Sequence, residues 1–117
     1  MTIDADVGAI ARYFGVDPAL LQALVRAEGN IVRAVQCSFR GVTTRDEALR
    51  IAARSSVHAM VDWIKSGGAE RQGEFVDFWG RRWAPVRADN DPGNLNANWA
   101  RNVQQLWSAS LRASGQS

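Results

Sequence analysis

A glutamate closes the most regular apolar stripe in this sequence. Glu28 falls seven positions after Leu21, in register with Leu24 and Val25, and Gly29 follows it directly. At the C-terminal end of a helix, on its apolar side, a carboxylate meets partial desolvation and the negative end of the helix dipole. Both favour the protonated form, which a general acid must hold near neutral pH. Glu28 is therefore the candidate catalytic residue. The plainer alternative is a solvated glutamate, or one paired with an arginine such as Arg33.

No other acid has a comparable setting. Asp77 lies between Phe75 and Trp79 but off the main stripe, and Glu74 and Asp62 fall on polar faces. If the chemistry needed a second carboxylate, Asp77 or Asp46 would be the residue to test. Indoles and amides concentrate around a turn-rich stretch at 87–95: Trp79, Trp83, Asn90, Asn94, Asn96, Asn98 and Trp99. Flat aromatic rings pack on the C–H faces of sugars, and carboxamides offer both a donor and an acceptor to acetamido groups. Trp79, Trp83, Asn90, Asn96, Asn98 and Trp99 are thus candidate sugar-binding residues. The competing reading places Trp99 and Trp107 in the core, on the apolar stripe of the last helix, and makes Asn96 an N-cap.

Several chemistries are excluded. The 117 residues hold one cysteine and one histidine, too few for a disulfide or for a tetrahedral structural zinc site. Cys37 reads as a small buried hydrophobe and His58 as a boundary residue beside Val57. Asp89-Asn90-Asp91 is interrupted as a calcium loop by Pro92-Gly93, and no Gly-rich phosphate loop is present. No metal and no cofactor are expected. Net charge is only +2, and Lys65 is the sole lysine among fourteen cationic residues. Those arginines are interspersed rather than clustered, so a small helical nucleic-acid binder is the weaker reading.

The elements that must position Glu28 are helical. Val7, Ile10, Ala11 and Phe14 predict a helix over 4–14, stopped by Gly15. Asp17-Pro18 is an N-cap followed by proline at the first helical position, opening the helix that Glu28 ends. Ile31 to Phe39 continues as a helix or helical turn. Thr44 and Glu47 form a capping box for a long helix over 45–65, with Leu49, Ala53, Val57, Met60 and Ile64 as its stripe. Further helices are predicted over 69–83 and 96–112. The expected fold class is all-α: one compact helical domain over 1–113, of five or six helices, with a frayed tail at 114–117. The acidic start lacks the basic, apolar pattern of a secretory signal, and no apolar run approaches the roughly 20 residues a membrane span needs. The chain is expected to be made in the cytoplasm, without membrane insertion.

The run Gly15-Val16-Asp17-Pro18-Ala19-Leu20-Leu21, leading to Glu28-Gly29, resembles the opening of the lytic transglycosylase domain of the lysozyme-like superfamily. Arg45 to Ile64 is similar to that family's central helix, and Asn98-Trp99-Ala100-Arg101-Asn102-Val103 to its closing one. The chain departs from the family pattern in three places. Gly29 stands where a serine is usual, Ala34-Val35-Gln36 replaces a gly-leu-met-gln motif, and the C-terminal tyrosine-asparagine motif is missing, its space open to Trp79 or Asn90. The pattern is that of a compact or divergent member, of phage type.

The resemblance implies a lysozyme-like fold and cleavage of the MurNAc–GlcNAc bond of peptidoglycan by one glutamate. It makes Glu28 the acid/base and adds Gln36 to the substrate-binding residues. A wall-cutting enzyme without a signal peptide would need a holin, a virion or a secretion machine to reach the cell wall or periplasm. The alternatives are an inactive lysozyme-like domain that grips glycan or a protein partner, and the nucleic-acid binder.

Overall fold

The computed structural model of the chain describes residues 2–83 and 98–113, with the side chains of the last helix described as far as Ser110. Among these residues there are seven helices and no strand: α1 (Ala5–Phe14), α2 (Pro18–Glu28), α3 (Ile31–Gln36), α4 (Arg45–Lys65), α5 (Ala69–Gln72), α6 (Phe75–Trp83) and α7 (Trp99–Ala113). The all-α class is as expected. The tail at 114–117 lies outside the described residues.

Local chemistry sets the ends of the helices. Asp17 accepts the Ala19 N–H at 2.9 Å ahead of Pro18, and Thr44 accepts from Glu47 N while its hydroxyl donates to the Glu47 carboxylate. These are the cap and capping box legible in the sequence. One expected helix is two. Gly73, at φ 75°, breaks 69–83 into α5 and α6, because a left-handed residue cannot continue a right-handed helix. The Trp63 indole donates to the Gly73 carbonyl at 2.9 Å and holds the break against α4.

The alanine-rich side of α4, with Ala48, Leu49, Ala52, Ala53 and Ala59, is buried, and α1, α3 and α6 all pack on this helix. Small side chains let three neighbours approach one spine. The predicted stripe holds at Leu49 and Ala53, but Ile64 is 62% exposed, since in the last turn of α4 it is Trp63 that packs, against Phe75. On the other side α2 packs against α1 and α7, and α7 also meets α6. Leu20, Leu21, Leu24 and Val25 bury the α2 stripe, each contributing about 1.5–3 kcal/mol.

A polar tie joins the N-terminal segment to α2 and α4. Gln22 is almost fully buried, and its carboxamide accepts the Asp4 N–H at 2.8 Å and donates to the Asp4 carboxylate at 3.2 Å. Arg45 spans Asp4 and Asp6 at 2.9 and 2.8 Å. Its donated hydrogen bond holds the Asp6 carboxyl below the usual carboxylate range, and Asp6 in turn raises the Arg45 guanidinium.

Candidate functional site

The site begins at the end of α2. Gly29, at φ 75°, donates its N–H to the Val25 carbonyl and stops the helix, and Asn30 then caps α3 by accepting from Arg33 N. The chain turns sharply away, and the half-buried Glu28 side chain is left facing α6 and α7. There its Oε1 accepts two hydrogen bonds, from Trp83 Nε1 and Trp99 Nε1, both at 2.8 Å. An indole N–H only donates. An oxygen engaged by two such donors is an acceptor, so a proton on this carboxyl resides on Oε2. Among the described residues Oε2 accepts no hydrogen bond, and no second carboxylate touches Glu28.

An aromatic train positions the two donors. Phe75 stacks on Trp79 at a centroid distance of 5.9 Å, and Trp79 meets Trp83 at 6.1 Å and Trp99 edge-on at 5.5 Å. The Trp79 N–H donates to Ser55 Oγ at 3.1 Å, which ties the train to α4. Such contacts lock ring orientation, each adding about 0.5–1.5 kcal/mol beyond buried area.

The sequence candidates divide accordingly. Glu28, Trp83 and Trp99 come together, although Trp99 is buried and meets Glu28 through its N–H rather than offering a ring face. Trp79 has no exposed surface, which overturns its candidacy as a sugar platform: all its faces are taken by Phe75, Trp83, Trp99 and α4. Gln36 donates to the Val42 carbonyl at 2.8 Å and pins the chain after α3. Asn98 is exposed beside Trp99, while Asn90, Asn94 and Asn96 lie outside the described residues. Asp77 is exposed beside Glu74, Arg101 and Gln104, away from Glu28. Two further expectations are corrected. Cys37 is exposed, because α3 ends at Gln36. Trp107 is only half-buried, and it donates to Asp17 Oδ2 at 3.0 Å at the opening of α2.

A groove of about 370 Å³ runs between α3, α4 and α6 and was not anticipated. Trp83 forms one wall, so this groove and Glu28 share an indole. Arg54, Ser55 and His58 of α4, Arg82 of α6 and Phe39 beyond α3 also line it. The available signal was Arg54 and His58 at i, i+4, which share a helix face. Arg82 could not be placed there without the fold.

Among the described residues no group of His, Cys, Asp or Glu could hold a metal ion. No protein-family model matches the chain, and no curated protein and no solved structure matches it either.

Proposed function

We propose that this protein cleaves the glycan strands of peptidoglycan at the MurNAc–GlcNAc bond, with Glu28 as the single acid/base. The observation that supports this most is the one-sided engagement of the Glu28 carboxyl. Two indoles fix Oε1, and among the described residues nothing engages Oε2, which leaves that oxygen to a substrate. Protonated Oε2 gives its proton to the glycosidic oxygen as the C1–O bond breaks. The substrate's own N-acetyl group assists at C1. Oε2 then takes the proton of the C6 hydroxyl as that oxygen closes on C1, leaving an anhydro sugar and restoring the acid. A pair of flanking carboxylates would serve hydrolysis instead, and none meets Glu28 among the described residues. In this reading the fold is lysozyme-like, Trp83 and Asn98 border the glycan, and a phage or secretion machine delivers the protein to the wall. No described helix is long and apolar enough to cross a membrane.

One observation favours a second reading. Glu28 also ties α2 to α6 and α7, a structural task that a non-cleaving glycan- or partner-binding domain would equally need.

Peptidoglycan sacculi treated with the wild type and with Glu28→Gln, followed by mass spectrometry of the soluble fragments, separate the readings. The glutamine variant retains an Oε1 acceptor for both indoles but no acidic proton. Anhydro ends from the wild type that vanish in the variant are the expected result. Reducing ends would change the reaction to hydrolysis. Sacculus binding without release by the wild type would overturn the cleavage reading in favour of the binding one.

A further inference from the structure

We infer that the groove between α3, α4 and α6 is a second binding site, built for the carboxylates of a ligand that also reaches Glu28. Its volume of about 370 Å³ falls in the range of small-ligand sites. Its charge is one-sided. Arg54, His58 and Arg82 line it, and no aspartate or glutamate does among the described residues. Arg82 Nη1 engages Asp62 at 2.6 Å from outside the lining, leaving the rest of its planar fork to a ligand. Arg54 sits over the Phe14 ring at 5.7 Å, and among the described residues it pairs with no carboxylate. Ser55 Oγ already accepts the Trp79 N–H and keeps its hydroxyl proton and one lone pair. Every polar group named here therefore has a donor to present, and only Ser55 and neutral His58 can also accept. The walls add Phe39, 53% exposed, and the indole of Trp83.

A neutral sugar has no use for two guanidinium groups. In the wall polymer the carboxylates are carried by the stem peptide, and the groove lies one indole away from Glu28. It is thus the stem-peptide site, selecting strands whose stems carry free carboxylates. The ligand's identity rests on the wall-polymer reading above, whereas the preference for anions rests on the groove alone. Arginine is suited to this task because its fork meets a carboxylate through two parallel hydrogen bonds.

Calorimetric titration of the full chain with three soluble probes tests the site. The probes are a disaccharide–tetrapeptide muropeptide, the same compound with its carboxyls converted to carboxamides, and the disaccharide without peptide. The acid muropeptide should bind about tenfold more tightly than its amidated form, as one charge-assisted pair implies. The disaccharide, whose lactyl group then carries the only carboxylate, should follow the amidated form. In the double variant Arg54→Gln, Arg82→Gln the acid form should lose that factor and the amidated form should not, with unchanged circular dichroism. Equal affinity for acid and amidated forms, no binding of either, or an equal loss on both in the variant overturns the inference. So does a disaccharide that binds as tightly as the acid muropeptide. Cleavage is read separately. A wild type that prefers the acid form but releases nothing from sacculi removes the enzyme and keeps the groove. Release without charge preference does the reverse.

Discussion

Gly80 faces the ring of Trp99 so closely that a Cβ at this position would lie 2.9 Å from Trp99 Cε3. The indole cannot retreat easily, since its N–H is held by Glu28 at 2.8 Å and its ring packs edge-on against Trp79. The glycine is the gap through which α7 reaches Glu28.

Gly80→Ala should therefore destabilise the protein, against the trend for a helix interior. Alanine gains about 1 kcal/mol of helix propensity. Overpacking against a rigid ring costs about 1–3 kcal/mol, and the close approach selects the upper part of that range. A net loss of about 1–2 kcal/mol should appear as a lower urea midpoint at unchanged slope. A midpoint at or above the wild type would show that Trp99 moves freely.

Glu28→Ala and Glu28→Gln should part company in stability. Alanine leaves two indole N–H groups without their acceptor, and an unsatisfied buried donor costs about 1–3 kcal/mol. Water replaces the acceptor more readily at the half-buried Trp83 than at the buried Trp99, so the expected loss is about 2–3 kcal/mol. Glutamine keeps the acceptor and should stay within about 1 kcal/mol of the wild type. Thermal unfolding of both variants checks this, and equal losses would mean that the Trp99 hydrogen bond contributes little.

Much of this arrangement was legible before folding, and the reasons are local. The Asp17-Pro18 cap fixed the phase of α2, and with it the placement of Glu28 at the end of the Leu21 stripe. The start of α4 followed from the Thr44–Glu47 capping box. Non-local partners were not legible. Trp83 and Trp99 lie 55 and 71 positions from Glu28, and a stripe shows which face is apolar, not which donor will cross it. Burial of Gln22 was missed for a related reason: its partner, Asp4, lies on a different element. Trp107 read as core because its spacing fits the stripe, yet its indole edge serves Asp17.

Arg45→Gln should weaken the protein modestly and in a pH-dependent way. The folded-state pKa of Asp6 is depressed by Arg45, so the pair contributes fully above the usual carboxylate value. That contribution is lost as pH falls through the depressed folded value. Arg45 itself is raised, and it would lose its contribution only at alkaline pH beyond ordinary measurement. Both partners are nearly half exposed, which limits the effect to about 1 kcal/mol at pH 7. Denaturant melts should show that gap at pH 7 and a shrinking one as the pH is lowered below the usual carboxylate range. A gap that persists in acid would assign the loss to packing of the arginine stem.

Asp17 has two tasks on two oxygens: Oδ1 caps α2 through Ala19 N, and Oδ2 accepts the Trp107 indole. Asp17→Ser restores a cap but is too short to reach the indole. Asp17→Ala should cost about 1–2 kcal/mol, and Asp17→Ser should recover about half of it. Full recovery by serine would show that the tie to α7 is idle.

Trp99→Phe tests whether the indole positions the acid as well as holding the helix. Phenylalanine retains an aromatic ring against Trp79 but removes one of two donors on Glu28 Oε1. With Trp83 alone, the carboxyl can turn about a single hydrogen bond, and Oε2 spends less time aimed at the glycosidic oxygen. In the proposed reaction this should lower kcat by about tenfold, the weight of one hydrogen bond. KM should hardly change, because the buried Trp99 ring offers no face to a glycan. The measurement is turnover of solubilised glycan strands well below the variant's unfolding temperature, so that loss of folded protein does not enter. A purely structural role would lower Tm and leave kcat of the folded protein intact. A rise in KM at constant kcat would instead place Trp99 against the substrate.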